Sequence, residues 1–153
     1  MLVLRHASAG ARLSSPEIDR WRRLDETGRV VARQLVWNFA DREITRVVSS
    51  PLARCVESVV PLAQTRGLVV EQRWELAPDA ELDDVLTLLD DLPDTALVCT
   101  HREVIEKLLG PDAACEKGSA WALERSGSEL VPTLYLAPPS AVSSGSRETI
   151  RAS

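Results

Sequence analysis

Three short apolar runs in this chain each stop at residues that carry chemistry. Met1-Leu2-Val3-Leu4 ends at Arg5-His6, Val47-Val48 ends at Ser49-Ser50-Pro51, and Ala96-Leu97-Val98-Cys99 ends at Thr100-His101. Runs this short and this apolar, separated by stretches with helical spacing, mark buried parallel strands in an alternating α/β chain. In such a sheet, ligands bind beyond the carboxyl ends of the strands. The pattern therefore constrains both the fold and the place where its chemistry gathers.

The intervening stretches fill in the alternation. Residues 7–15 are small, polar and glycine-containing, and read as a loop. Asp25 is placed to cap a helix from Glu26 to Phe39, with Gly28 in its first turn for close packing. A second helix is expected to begin with Pro51 in its first turn, with Ser50 as its cap, and to close at Gly67. Pro61 is expected to kink or divide it. Leu68-Val69-Val70 reads as a third strand. Leu82, Val85, Leu86, Leu88 and Leu89 have helical spacing, and a short helix over 102–109 stops at Gly110-Pro111. Residues 119–124 and 130–136 flank Ser126-Gly127-Ser128 as an antiparallel hairpin. The expected architecture is α/β, a three-layer α/β/α sandwich on a mixed, mainly parallel sheet. The domain is expected to span 1–136, with a disordered tail from Ala137 to Ser153.

Charge and composition narrow the function classes. The chain carries a formal net charge of −5, distributed as +4 over residues 1–66 and −9 over the remainder. An acidic whole lacks the basic face that nucleic acid polymers require. No apolar run approaches the roughly 20 residues of a membrane span, and no charged-then-apolar leader is visible, so a cytoplasmic protein is expected. Cys55, Cys99 and Cys115 form no close pair, which disfavours a disulfide framework or a CxxC site. Two histidines, His6 and His101, are too few for a His-rich metal centre. No Cys is followed six residues later by Arg, and no P-loop is present.

The parallel topology brings Arg5-His6, Arg54 and His101 to one sheet edge. Guanidinium forks and helix N-termini beside two imidazoles match a phosphoryl group.

These stretches also resemble a family. Leu4-Arg5-His6-Ala7, Ser49-Ser50-Pro51-Leu52-Ala53-Arg54 and Cys99-Thr100-His101 look like the successive motifs of the histidine phosphatase (phosphoglycerate mutase-like) superfamily. Leu24-Asp25-Glu26-Thr27-Gly28 and Lys117-Gly118-Ser119-Ala120-Trp121 add weaker matches. The resemblance covers about residues 1 to 136 and is closest in style to compact SixA-type phosphohistidine phosphatases and to phosphatase domains joined to Nudix hydrolases. It implies His6 as a nucleophile that becomes phosphorylated, with Arg5, Arg54 and His101 holding the phosphoryl oxygens and no metal or other cofactor. Ala7 and Arg102 stand where many relatives have Gly.

The family's proton donor falls near 74–81, where the aligned position is Pro78. Asp79 is the first choice for that role, followed by Glu75 and Glu81. The compact chain favours hydrolysis over mutase chemistry. The expected partner is a phosphorylated small molecule or a phosphohistidine protein, and the alternative is a noncatalytic phosphate-binding module on the same fold. Ser8 reads as an ordinary loop residue, Cys55 and Cys99 as core packing, and Asp83, Asp84, Asp90 and Asp91 as a solvated helix face.

Overall fold

The computed structural model describes residues 1–141. Its six-stranded sheet has the order β3-β2-β4-β1-β5-β6. The strands are β1 (Leu2–Arg5), β2 (Arg46–Ser49), β3 (Val70–Gln72), β4 (Ala96–Thr100), β5 (Ala120–Ser126) and β6 (Glu129–Leu136). β1, β2, β3 and β4 are mutually parallel, while β5 runs antiparallel to both β1 and β6. This is the expected mixed, mainly parallel sheet.

Alternation along each strand sends side chains to two separate cores. Leu2, Leu4, Val47, Leu97 and Cys99 face one way, onto α2 (Glu26–Asn38) and α3 (Ala53–Arg66). Val3, Val48, Ala96 and Val98 face the other way, onto α4 (Leu82–Asp90) and α5 (Arg102–Leu109). The strands are apolar on both faces because both faces are covered. Each fully buried Val, Leu or Ile contributes about 1.5–3 kcal/mol. Asp83, Asp84, Asp90 and Asp91 lie exposed on the outer side of α4 and its end, as expected.

Four local expectations are corrected. The second helix begins at Ala53, not Pro51, because the Ser50 amide donates to the Cys99 carbonyl at 2.9 Å and carries strand-like pairing one residue past β2. Ser50 therefore makes no N-cap, and Leu52 takes that position. Pro61 does not divide α3, which runs unbroken to Arg66 around the buried Val59, Leu62 and Ala63. β3 starts at Val70, since the Leu68 amide is still held by the Ala63 carbonyl at 2.8 Å behind the left-handed cap at Gly67. A single turn, α1 (Pro16–Asp19), follows the loop over residues 7–15.

The loop after β1 is fixed against α2. The Asp25 carboxylate accepts from the Gly28 amide at 2.7 Å, the Ser8 hydroxyl at 2.6 Å and the Gly10 amide at 3.0 Å. Burial alone would raise the Asp25 pKa, but these three donors outweigh it and hold the carboxyl below its ordinary range. Gly28 permits the approach, for a Cβ there would stand 1.9 Å from the Ser8 carbonyl oxygen.

At the far edge, β6 carries Pro132, beside a register shift between Ala122 and Leu123 of β5, and exposes Val131 and Leu134. Among the described residues, regular structure ends at Leu136. Residues 137–141 form neither helix nor strand, and the rest of the expected tail lies outside the described residues. Among the described residues, no helix is long and apolar enough to cross a membrane.

Replacing a glycine by alanine in a helix ordinarily gains about 1 kcal/mol. Gly28→Ala is expected to do the opposite and lose about 1–3 kcal/mol, because the obstacle is backbone and cannot swing aside. The urea midpoint of the variant checks this, and an unchanged or raised midpoint would contradict the packing.

Candidate active site

β2, β4 and β1 are adjacent and parallel, so their carboxyl ends lie side by side. Arg5 of β1 pairs with Thr100 of β4, and the His6 amide donates to the Thr100 carbonyl at 3.1 Å. This register sets His6 beside His101, with ring centroids 5.3 Å apart in an edge-on arrangement. Arg54 enters from the first turn of α3.

The state of the His6 ring is fixed by its surroundings. Nδ1 lies 2.8 Å from the Ala7 carbonyl oxygen, which can only accept, so Nδ1 carries the proton and Nε2 keeps its lone pair. The Ala7 amide in turn donates to Ser58 Oγ at 2.9 Å, and that hydroxyl donates to the Arg54 carbonyl at 2.7 Å. Ser58 thereby links Ala7, the residue whose carbonyl orients His6, to the turn that carries Arg54. Burial lowers the His6 pKa to about 3, with the Ala7 bond opposing and the charges of Arg54, Arg5 and Arg22 assisting. Burial likewise lowers His101 to about 2, assisted by His6 and Arg54. Both rings are neutral at physiological pH. They are 6% and 1% exposed.

The cations around these rings are tightly placed. Arg54 is 3% exposed; its Nη1 donates to the Asp19 backbone carbonyl at 3.1 Å, and its Nη2 stands 3.5 Å from the Asp19 carboxylate. Arg5 donates from Nη1 to the Cys115 carbonyl at 2.6 Å. The Nε–H groups of both Arg5 and Arg54 are buried without a protein acceptor. A buried donor left unpaired costs about 1–3 kcal/mol, which an oxyanion reaching it would recover.

His101 is held from the other side. Its Nε2 lies 2.8 Å from Ser50 Oγ and 3.4 Å from Cys55 Sγ. Ser50 thus contacts an imidazole instead of capping a helix, and Cys55 touches the same ring as well as the core. Ser8 is committed to Asp25.

Two residues packed into the candidate site escape a reading of the sequence. Asp19, at the end of α1, accepts from Arg22 Nε at 2.9 Å and from the Leu13 amide at 2.7 Å while facing Arg54. Burial alone would raise its pKa, but those donors and the nearby guanidinium charges keep the carboxyl below its ordinary range. Arg22 also donates to the Ala9 carbonyl at 2.9 Å and adds positive potential at both histidines. An Asp and an Arg three residues apart are the only sequence signal, and such pairs are common on any surface.

A groove of about 440 Å³ meets this cluster at Arg54 and Asp19, with Arg12, Asp79, Glu103 and Trp74 also in its wall; Arg5, His6 and His101 do not line it. Asp79 lines it. Glu75 is instead clasped by Arg73, and exposed Glu81 sits at the N-cap of α4, outside the groove lining. Glu103, another carboxylate in the wall, pairs with Arg12 at 3.5 Å. Arg102 points to Glu106 at 3.2 Å and does not line the groove. No group of three or more His, Cys, Asp or Glu among the described residues is arranged to hold a metal ion.

Comparison with known proteins identifies the family and the fold. The family model described as "Histidine phosphatase superfamily (branch 1)" matches residues 1–78, which contain Arg5, His6 and Arg54. An 8-oxo-(d)GTP phosphatase of Mycolicibacterium smegmatis is 31% identical over 91% of this chain, and the chain spans about half (48%) of that relative's length. The fold matches the protein histidine phosphatase SixA complexed with tungstate, with a TM-score of 0.73 at 21% identity, covering 90% of this chain and 97% of the other. A putative phosphohistidine phosphatase SixA from Agrobacterium tumefaciens gives 0.70 at 21% identity, with the same coverages.

The two lowered imidazole pKa values set a pH dependence. An unfolded chain protonates both rings below about pH 6.5, whereas the folded chain resists until about pH 3 and 2. The rings therefore contribute no slope above neutrality and remove stability as pH falls through that window. Denaturant midpoints are expected to fall from about pH 6.5 toward pH 4, with a shallower fall for His6→Asn. Parallel curves for the two proteins would mean that His6 charges as easily inside the fold as outside.

Proposed function

The chain belongs to the histidine phosphatase superfamily, and we propose that it hydrolyses a small phosphate ester through a phosphohistidine formed on His6. The observation that carries this reading is the 2.8 Å contact from His6 Nδ1 to the Ala7 carbonyl, which leaves Nε2 unprotonated and nucleophilic in a ring that burial keeps neutral.

In the first step the Nε2 lone pair attacks phosphorus. The N–P bond forms as the bond from phosphorus to the leaving oxygen breaks. Arg5 and Arg54 supply N–H donors to the non-bridging oxygens, and neutral His101 completes the cradle. The leaving oxygen takes a proton from the Asp79 carboxyl, the first-choice acid and one that lines the groove with Arg54. In the second step a water oxygen attacks phosphorus, its proton returns to Asp79, and the N–P bond breaks. Inorganic phosphate and neutral His6 are the products. Arg22 strengthens the positive field, and Asp19 holds Arg54 and Arg22 in place.

The name of the 31% identical relative, an 8-oxo-(d)GTP phosphatase, makes nucleotides the first substrates to assay. The SixA fold likeness adds phosphohistidine peptides.

His6→Ala is expected to abolish turnover and acid-labile labelling by ³²P-phosphate donors, while EDTA leaves the wild-type rate unchanged. Hydrolysis that survives in His6→Ala would remove the mechanism. Ligand binding by the wild type with no turnover of any phosphoester or phosphoramidate would instead favour a noncatalytic phosphate-binding module.

Asp79→Asn separates the acid from the nucleophile. A general acid is worth about 10²–10⁴-fold when the leaving group needs a proton. Alkyl phosphate hydrolysis should fall by that order, and p-nitrophenyl phosphate hydrolysis should fall far less. Equal losses on both would take the donor role away from Asp79.

A further inference from the structure

The groove that reaches Arg54 shares Arg20, Leu52 and Trp74 with a second groove of about 450 Å³, whose far side carries Trp21 and Gln72. The shared residues form the ridge between the two. Trp74 is 61% exposed and Trp21 73% exposed, in a chain with only 4% aromatic residues. Arg20 lies over the Trp74 ring, its guanidinium carbon 5.6 Å from the ring centroid.

The seat under Trp74 is firm. It opens a single 3₁₀ turn, Trp74–Leu76, whose Leu76 is fully buried. The Thr100 hydroxyl donates to the Leu76 carbonyl at 2.7 Å, and the Arg73 amide donates to the Ser49 carbonyl at 2.9 Å. Both anchors come from strands that end at the catalytic cluster. The indole is thus exposed, yet held in fixed relation to Arg54.

We propose that Trp74 and Arg20 form a stacking platform for the planar base of a nucleotide whose phosphate sits at Arg54; this rests on the phosphoryl-transfer reading above. The indole offers a base the π-face that Arg20 does not cover, at little cost in side-chain entropy, and the guanidinium plane over the other face offers a second stacking surface. The first groove has the volume of a small-molecule site. A ring-free phosphoester would use the arginine cradle alone. Trp74 therefore sets which phosphoester is preferred, without touching the reacting atoms.

The test compares guanosine monophosphate with ribose 5-phosphate, which lacks the base. The ratio of their kcat/KM values is expected to fall about tenfold in Trp74→Ala and to recover to within about threefold of wild type in Trp74→Phe. An unchanged ratio in Trp74→Ala, or an equal fall on both substrates, overturns the platform while leaving the phosphatase reading intact. Calorimetric binding of guanosine monophosphate is read separately in a His6→Ala background, where the dissociation constant should rise about tenfold on adding Trp74→Ala. If that rise occurs while the wild-type protein hydrolyses none of the phosphoesters, the platform stands and the chemistry fails. If guanosine monophosphate binds equally with and without Trp74, the exposed tryptophans serve something other than a nucleotide and the proposal is lost.

Discussion

The pairing of Arg5 with Thr100 is the constraint on which the site depends. It places the carboxyl ends of two parallel strands level, so that the next residue of each, His6 and His101, meets the other across 5.3 Å. A slip of one residue would turn Arg5 and His6 to the opposite faces and exchange the two cores, Leu2 and Leu4 for Val3. Register and chemistry are therefore specified together. The apolar pattern that buries β1 on both sides is the same pattern that aims its end.

Holding the ring is a separate task, carried out by backbone. The Ala7 carbonyl selects the His6 tautomer, Ser58 holds the Ala7 amide from α3, and Asp25 fastens the loop just beyond it to α2. Gly28 lets the helix come close enough for Asp25 to reach. Two helices on one face thus fix an imidazole that belongs to the sheet. Positive charge is managed in a similar way, since Asp19 balances Arg54 and Arg22 without removing their field from the imidazoles.

Much of this was legible in the chain itself. Short apolar runs revealed the strands because strands covered on both faces have nowhere to place polar side chains. Asp25 and Gly28 announced a helix start and a close approach because capping chemistry is local. The remainder needed the third dimension. Ser50 resembles a helix cap in sequence, yet pairing with Cys99 extends the strand through it and gives its hydroxyl to His101. Asp19 and Arg22 sit around a single polar turn with no periodicity, and only folding brings them to Arg54. Trp74 reads as an ordinary hydrophobic residue until the turn beneath it is seen to leave the indole in solvent.

The two borders of the sheet bear on how the molecule behaves in a crowd. β3 is only three residues long, and β6, which leaves Val131 and Leu134 uncovered, carries a proline with no N–H and lies beside a break in register. A foreign strand seeking to extend either margin would find too few donors in sequence to zip onto. Brevity at one rim and a missing donor at the other thus shorten the run of backbone groups that each margin can offer.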